Sequence, residues 1–258
     1  MSSGSPDLRF LTVNVGAAAP ARARTMLEWL LGRADDVLVL TETSSGDGTR
    51  ELLDGLRGAG YEVVGSAEPR RDRGCMLASR VPVRAVLTDE LASVLPPGRA
   101  VGMRLDQVAV IGIYVPSRDR SPAKTERKRM FLDTLATALG RLPTEHARSL
   151  VLGGDYNVIG AGHEPRHRGF FPFEFQFFDR IAEHGLHDPW AGGAQEHSWI
   201  GRTGNGYRYD YFHVAEPLRG AVVGGEYLHE TRHARTTDHA AVSLVLGQGA
   251  TASRTSES

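Results

Sequence analysis

Lysine is almost absent from this 258-residue chain: Lys124 and Lys128 are the only two, and every other basic side chain apart from histidine is arginine. Cysteine is rarer still, and a lone Cys75 excludes both an intramolecular disulfide and a zinc site built from thiolates. No apolar run reaches the ~20 residues that a membrane-crossing helix needs, so no membrane partner is expected. The formal net charge is −1 and the pI near 6.8, which removes any global pull towards nucleic acid. Residues 1–6 lack the apolar stretch of a secretory signal, and a cytoplasmic location is the expectation.

What remains is an ordinary globular composition, 41% hydrophobic and 24% charged, in a length that suits one large domain. That domain is expected over residues 8–246, as a monomer, with small polar residues leaving 1–7 and 247–258 disordered. The arginines gather at residues 70–73, 118–129, 166–168 and 232–235, and guanidinium forks suit phosphate better than ammonium groups do. Solvated loops account for such clusters as well as a phosphate-facing rim does.

The stretch from Ser149 to Asn157 organises the rest. Leu150-Val151-Leu152 meets Gly153-Gly154 and then Asp155 and Asn157, the pattern of a buried strand that delivers polar groups to its end. Residues two apart on an extended segment share a face, so Asp155 and Asn157 can meet one substrate; an Asx turn that merely closes the strand fits the same residues. The design recurs. Residues 8–15 read as a strand ending near Asn14, 37–40 as one running into Glu42, 108–114 as one ending at Tyr114, and 207–214 as one carrying Asp210. Asp238 and His239 precede a closing strand at 240–246. Further short strands are read at 61–65, 75–79, 83–88, 100–105 and 222–227, and helices at 21–31, 49–59, 121–141 and 173–184. The fold class is therefore α+β, a four-layer α/β sandwich of two mainly antiparallel sheets packed face to face with helices outside. In helix 121–141 the basic first half opposes the helix dipole, which hints at an anionic partner.

Carboxylates without thiolates suit a hard divalent cation such as Mg²⁺, which keeps waters for a substrate phosphate. A histidine beside an acid serves as an imidazolium against phosphate or as a proton donor. The remaining histidines fit no standard zinc spacing, and the aromatic run from Phe170 to Phe178 reads as core packing rather than a base-stacking platform.

Thr41-Glu42-Thr43, Gly154-Asp155-Tyr156-Asn157, Tyr209-Asp210-Tyr211 and Thr237-Asp238-His239-Ala240-Ala241-Val242, in that order, resemble the endonuclease/exonuclease/phosphatase superfamily across residues 8–246. Tyr114-Val115-Pro116-Ser117, the segment Phe170 to Arg180 and Ser198-Trp199 resemble its exonuclease III and abasic-site endonuclease branch. The resemblance implies a DNase I-like fold and a phosphodiesterase using Mg²⁺, with Mn²⁺ able to substitute. It implies that Glu42 holds the metal with Asn14 and Asp238 near it, and that Asp155 positions or deprotonates the attacking water. Asn157 would orient the phosphate, Tyr114 would contact the phosphate or leaving oxygen, and His239, braced by Asp210, would stabilise charge in the transition state. Arg71, Lys124, Arg168 and Trp199 are the expected substrate contacts, with DNA the leading substrate. A small phosphoester is the alternative substrate, and a non-catalytic nucleic-acid-binding protein the alternative class. Two departures count against abasic-site DNA: Gly16, followed by alanines, stands where the branch carries a second polar group, and Thr43 and Ser44 stand where it carries a lysine.

Overall fold

Short apolar strands alternating with amphipathic helices build two facing sheets, each covered by helices on its outer side. The computed structural model describes residues 7–33, 35–65, 72–87, 91, 95–119, 121–165, 167–193 and 196–247. The ends expected to be disordered, apart from Asp7 and Gly247, lie outside the described residues, as does Arg71. No described helix is long and apolar enough to cross a membrane.

The first sheet runs in the order Val222–Gly224, Ala241–Leu246, Leu8–Asn14, Val37–Thr43, Gly74–Ser79, Glu62–Val64, with Tyr227–Leu228 also paired to Ala241–Leu246. The second runs Ala85–Val86, Ala100–Arg104, Ala109–Tyr114, Leu150–Asp155, Asp210–Ala215, Leu186–His187. Neighbours are antiparallel except for one pair in each sheet: Leu8–Asn14 with Val37–Thr43, and Ala109–Tyr114 with Leu150–Asp155. Parallel neighbours end at the same edge. Asn14 therefore pairs with Thr41, one residue before Glu42, and Tyr114 pairs with Asp155. Asp210 opens an antiparallel neighbour and pairs with Asp155 from the other side. Register thus gathers the strand-end polar residues within each sheet.

Coverage on both faces explains the unbroken apolar runs. In the first sheet Leu11, Val13, Leu38 and Leu40 pack with Met26, Leu30, Leu52 and Leu56 of the helices Pro20–Arg33 and Asp47–Gly58. The alternate residues Phe10, Val37 and Val39 join the core between the sheets, where Phe10 meets Phe212 edge-on at 6.3 Å. Each fully buried leucine or phenylalanine contributes roughly 1.5–3 kcal/mol. Helices Pro122–Leu139 and Pro172–Glu183 cover the second sheet through Phe131, Leu135, Phe177 and Ile181. Gly112 is bare because a Cβ there would stand 2.8 Å from Cys75 Sγ of the facing sheet. Gly154 has φ +140°, and a Cβ would come within 2.0 Å of Ile113 O, so the strand can approach its parallel neighbour only as glycine.

Three expected strands are shorter or divided. Among the described residues of the 83–88 segment, the strand is confined to Ala85–Val86, on the sheet edge. The 207–214 segment splits into Gly206–Tyr207, a hairpin partner of Trp199–Ile200, and Asp210–Ala215, because Ser198 Oγ accepts the intervening Tyr209 N and Asp210 N at 2.9 and 3.1 Å. The 222–227 segment divides into Val222–Gly224, which carries a register shift against Ala241–Leu246, and Tyr227–Leu228, with Gly225 and Glu226 unpaired between them in the strand ladder.

Candidate active site

Asn14 bridges the two sheets at their common edge. Its Nδ2 donates to Asp155 Oδ2 at 2.9 Å and lies 3.4 Å from His239 Nε2, while its Oδ1 accepts Gly16 N at 2.9 Å. On the other side of the ring His239 Nδ1 meets Asp210 Oδ2 at 2.7 Å. Burial by itself lowers the His239 pKa, but the Asp210 carboxylate outweighs it and, with Asp155 and Asp238 adding, raises it to about 9. The ring is an imidazolium at neutral pH and donates to Asp210. Asp155 is pushed up to about 8 by burial and then by the charge of Asp210, against the pull of His239. Asp155, Asp210 and His239 present ligand atoms within 4.8 Å of one another, close enough to hold a metal ion. A protonated ring has no lone pair to offer, so a cation finds better ligands among the neighbouring acids.

Glu42 reaches the site through a bulge. Thr41 pairs with Cys75 and Thr43 with Gly74, which leaves Glu42 as the extra residue at φ +54° and re-aims its side chain out of the strand's alternation. Its Oε1 accepts the Tyr114 hydroxyl at 3.0 Å and its Oε2 forms an ion pair with Arg73. The lysine missing after Glu42 thus has a cationic counterpart from another segment. Burial, followed by the charges of Asp155 and Glu42, pushes the Tyr114 pKa far up, so the phenol keeps its proton. Arg99 lies over the Tyr114 ring at 4.7 Å and pairs with Asp72 at 3.0 Å, steadying the segment that carries Arg73. Asp238 is exposed, with Oδ2 accepting Trp199 Nε1 at 2.8 Å.

Asn157 arrives by a turn. Its N donates to Asp155 Oδ1 at 2.9 Å and its φ is +48°, so the Asx turn, rather than strand alternation, brings Asp155 and Asn157 together. Its Nδ2 donates to Val115 O at 3.1 Å. Glu42, Asp155, Asn157, Asp238 and His239 line one cleft of about 430 Å³. Tyr114, Asn14 and Asp210 stand behind it, hydrogen-bonded to Glu42, Asp155 and His239 respectively.

Aromatic rings form the facing wall. Phe170, Trp199, Tyr207 and Tyr209 line the cleft, with Tyr207 stacked on Tyr209 at 5.2 Å and His167 on Tyr207 at 3.9 Å. The expectation of core packing for the Phe170 to Phe178 run holds at buried Phe177 and fails at Phe170. Tyr207 and Tyr209, two apart beside Asp210, were the available signal for the wall. Beyond Glu42 and Asp238 a groove of about 500 Å³ is lined by Arg22, Arg73, Arg232 and Arg235. Arg22 had no signal in the sequence, being one arginine of an amphipathic helix. Of the expected substrate contacts, Trp199 lines the cleft and Arg168 is exposed beside Gly169 on its rim. Lys124 instead pairs with Asp119 at 2.7 Å, and Asp119 is the one of the two that lines the cleft. The anionic partners of the basic helix are therefore internal, Asp119 for Lys124, Asp72 for Arg127 and Glu174 for Lys128.

The fold is shared, over 93% of the chain, with solved structures that include the following three. A 3′-5′ exonuclease from Neisseria meningitidis superposes with TM-score 0.78 at 24% identity, over 93% of this chain and 100% of that one. A Neisseria 3′ phosphatase bound to a product DNA hairpin gives 0.77 at 24% identity, over 93% and 99%, and an AP endonuclease from Archaeoglobus fulgidus 0.76 at 22%, over 93% and 99%. No curated protein sequence matches the chain. The model of the Endonuclease/Exonuclease/phosphatase family matches residues 11–239, nearly the whole described core and every residue of the cleft, and the chain belongs to that family.

Proposed function

We propose that the protein is a divalent-metal-dependent phosphoesterase of the exonuclease III type that hydrolyses phosphodiester bonds in DNA. One observation carries the reading: Asp155, held by Asn14, and His239, paired with Asp210, face the cleft together with the carboxylates of Glu42 and Asp238. Glu42 and Asp238 offer oxygen donors alone, which fits a hard ion such as Mg²⁺, with Mn²⁺ able to substitute. Such an ion, when bound, supplies positive charge and Lewis acidity at a phosphoryl oxygen.

The chain's own groups do the rest. Asp155 accepts the proton of the attacking water, its Oδ2 fixed by Asn14. His239, held charged by Asp210, faces the negative charge that develops on the phosphoryl oxygens, and the Tyr114 hydroxyl keeps Glu42 oriented towards the cleft. Asn157 orients the phosphate. Proton transfer and preorganised charge of this kind contribute roughly 10²–10⁴-fold each. The aromatic wall gives a nucleotide a surface for stacking, worth about 1–3 kcal/mol per base in single-stranded complexes. The arginine groove next to Glu42 and Asp238 suits a further phosphate of a polymer, which a small phosphoester would leave unused. The likeness to exonuclease, 3′ phosphatase and AP endonuclease folds supports DNA as the substrate class.

The test is turnover of abasic, nicked and 3′-phosphate duplexes beside bis(p-nitrophenyl) phosphate, with Mg²⁺, Mn²⁺ or chelator. Metal-dependent cleavage of a duplex faster than of the small diester supports the reading. Faster turnover of the small diester moves the protein to small-molecule chemistry, and no turnover of any substrate removes the enzymatic reading.

A further inference from the structure

A buried ion network forms part of the cleft wall, which Arg118 and Glu174 line, and no step of the proposed reaction uses it. Lys128, on helix Pro122–Leu139, is 2% exposed, and Glu174, in the first turn of helix Pro172–Glu183, is 0% exposed. Lys128 Nζ lies 2.7 Å from Glu174 Oε1. The other oxygen, Oε2, accepts Phe171 N at 2.8 Å and Arg118 Nε at 3.1 Å. Both oxygens are committed, so the carboxylate cannot rotate away and the ammonium is held in one place. From there Lys128 makes a second hydrogen bond, to the carbonyl oxygen of Asn157 at 2.5 Å.

Stability alone is a poor reason for this arrangement. Removing an ammonium and a carboxylate from water is costly, and a well-packed apolar pair of similar volume commonly serves a core as well. The network acts where the backbone is strained. Asn157 sits at φ +48°, a left-handed conformation that asparagine tolerates better than most side-chain-bearing residues but that its contacts must still select. Three contacts hold it there: its N on Asp155 Oδ1, its Nδ2 on Val115 O, and its carbonyl under Lys128. The first two are made by Asn157's own donors and move with it. The third comes from outside the turn, and it fixes the plane of the peptide that follows. Asn157 lines the cleft, so the direction of its side-chain amide depends on that backbone.

We propose that Lys128, clamped by Glu174, is a positioning residue that holds Asn157 in the conformation in which its amide meets the substrate phosphate. The assignment rests on reading the cleft as the phosphoester site. Without the ammonium the turn relaxes towards right-handed geometry and the amide swings off the phosphate. The protein still folds, still binds substrate along its other contacts, and loses rate.

A double-mutant cycle on the wild-type background tests this, using whichever phosphodiester the wild type turns over and saturating metal. Lys128→Met, close in volume, should lower kcat roughly ten- to a hundredfold, the scale of a misplaced orienting group, with KM changed less than about threefold. The same substitution made in Asn157→Ala should cost no further rate. Glu174→Gln should show a smaller kcat loss with the same disappearance in Asn157→Ala, and it carries the test alone if Lys128→Met does not fold. Losses that multiply in the double variants, or a lowered melting temperature with kcat intact, overturn the role of Lys128 while leaving the site standing. An Asn157→Ala protein with the full wild-type rate overturns both, since there is then no orienting amide to hold.

Discussion

Asn14 and Asp155 end strands in different sheets and are 141 residues apart, yet Asn14 Nδ2 donates to Asp155 Oδ2 at 2.9 Å. The bond locks the edges of the two sheets together at the point where the chemistry is proposed. Asn14→Ala leaves a buried carboxylate oxygen without its donor, at a cost of about 1–3 kcal/mol. A fall in melting temperature together with a loss of rate is the expected outcome. Loss of stability with the rate per folded molecule unchanged would show that the bond serves the fold only.

Metal affinity should separate Glu42 from the groups that act on water and phosphate. Glu42→Gln is expected to weaken Mg²⁺ binding, read by calorimetry, and added Mg²⁺ should restore part of its rate. His239→Ala is expected to lose roughly a hundredfold with no recovery at any metal concentration. Equal recovery of both variants by metal contradicts the division.

The pH profile follows from the two buried groups. Burial and the charge of Asp210 hold Asp155 up near 8, and Asp210 holds His239 near 9. The active form needs Asp155 ionised and His239 protonated, so the rate rises as Asp155 loses its proton and falls as His239 loses its own near pH 9. These limbs belong to the coupled pair, and a bound cation moves the acid limb to lower pH. Asp210→Asn removes the charge that raises His239, and the alkaline limb should move to lower pH. An alkaline limb that stays in place assigns it to another group.

Salt dependence reports on the arginine groove. If a polymer phosphate lies between Arg22 and Arg235, duplex binding should weaken with salt at a logarithmic slope of about −0.9 per phosphate contacted. Arg22→Glu with Arg235→Glu should flatten that slope, measured by fluorescence anisotropy, and leave turnover of bis(p-nitrophenyl) phosphate within about twofold. An unchanged slope places the phosphates elsewhere.

The close approach at Gly154 is a prediction for the fold alone. Gly154→Ala must find room for a methyl group 2.0 Å from Ile113 O at φ +140°. A loss of roughly 1–3 kcal/mol is expected, read as a drop of several degrees in melting temperature. A wild-type melting temperature would show that the backbone yields there at little cost.

The strands and the edge they share were legible because both faces of each sheet are covered. Leu38 and Leu40 pack under helices, Val37 and Val39 pack between sheets, and the result is an apolar run that stops where the side chains turn polar. The order of Glu42, Asp155, Asp210 and His239 carried the family. What sequence reasoning missed depends on contacts between distant segments. Lys128 looks like one more cation on a solvated helix face, and only Glu174 from the next long helix makes it a buried residue. Arg73 gives no local sign that it lands on Glu42, since the bulge at Glu42 is needed to bring them together. The aromatic wall was hidden because Tyr207 and Tyr209 read as one continuous strand with Asp210, until Ser198 breaks that strand.

The proposed chemistry stands or falls on Asp155. Single-turnover cleavage of a 3′-phosphate or abasic duplex by wild type and by Asp155→Asn, with saturating Mg²⁺ and again with chelator, measures it most directly. Asparagine keeps the shape and one of the two acceptors, for Asn14 Nδ2 or for Asn157 N, but cannot take a proton. The account predicts wild-type cleavage that chelator abolishes and a variant slower by roughly a hundredfold or more at every Mg²⁺ concentration. Cleavage by Asp155→Asn at the wild-type rate, or wild-type cleavage that persists in chelator, would contradict it.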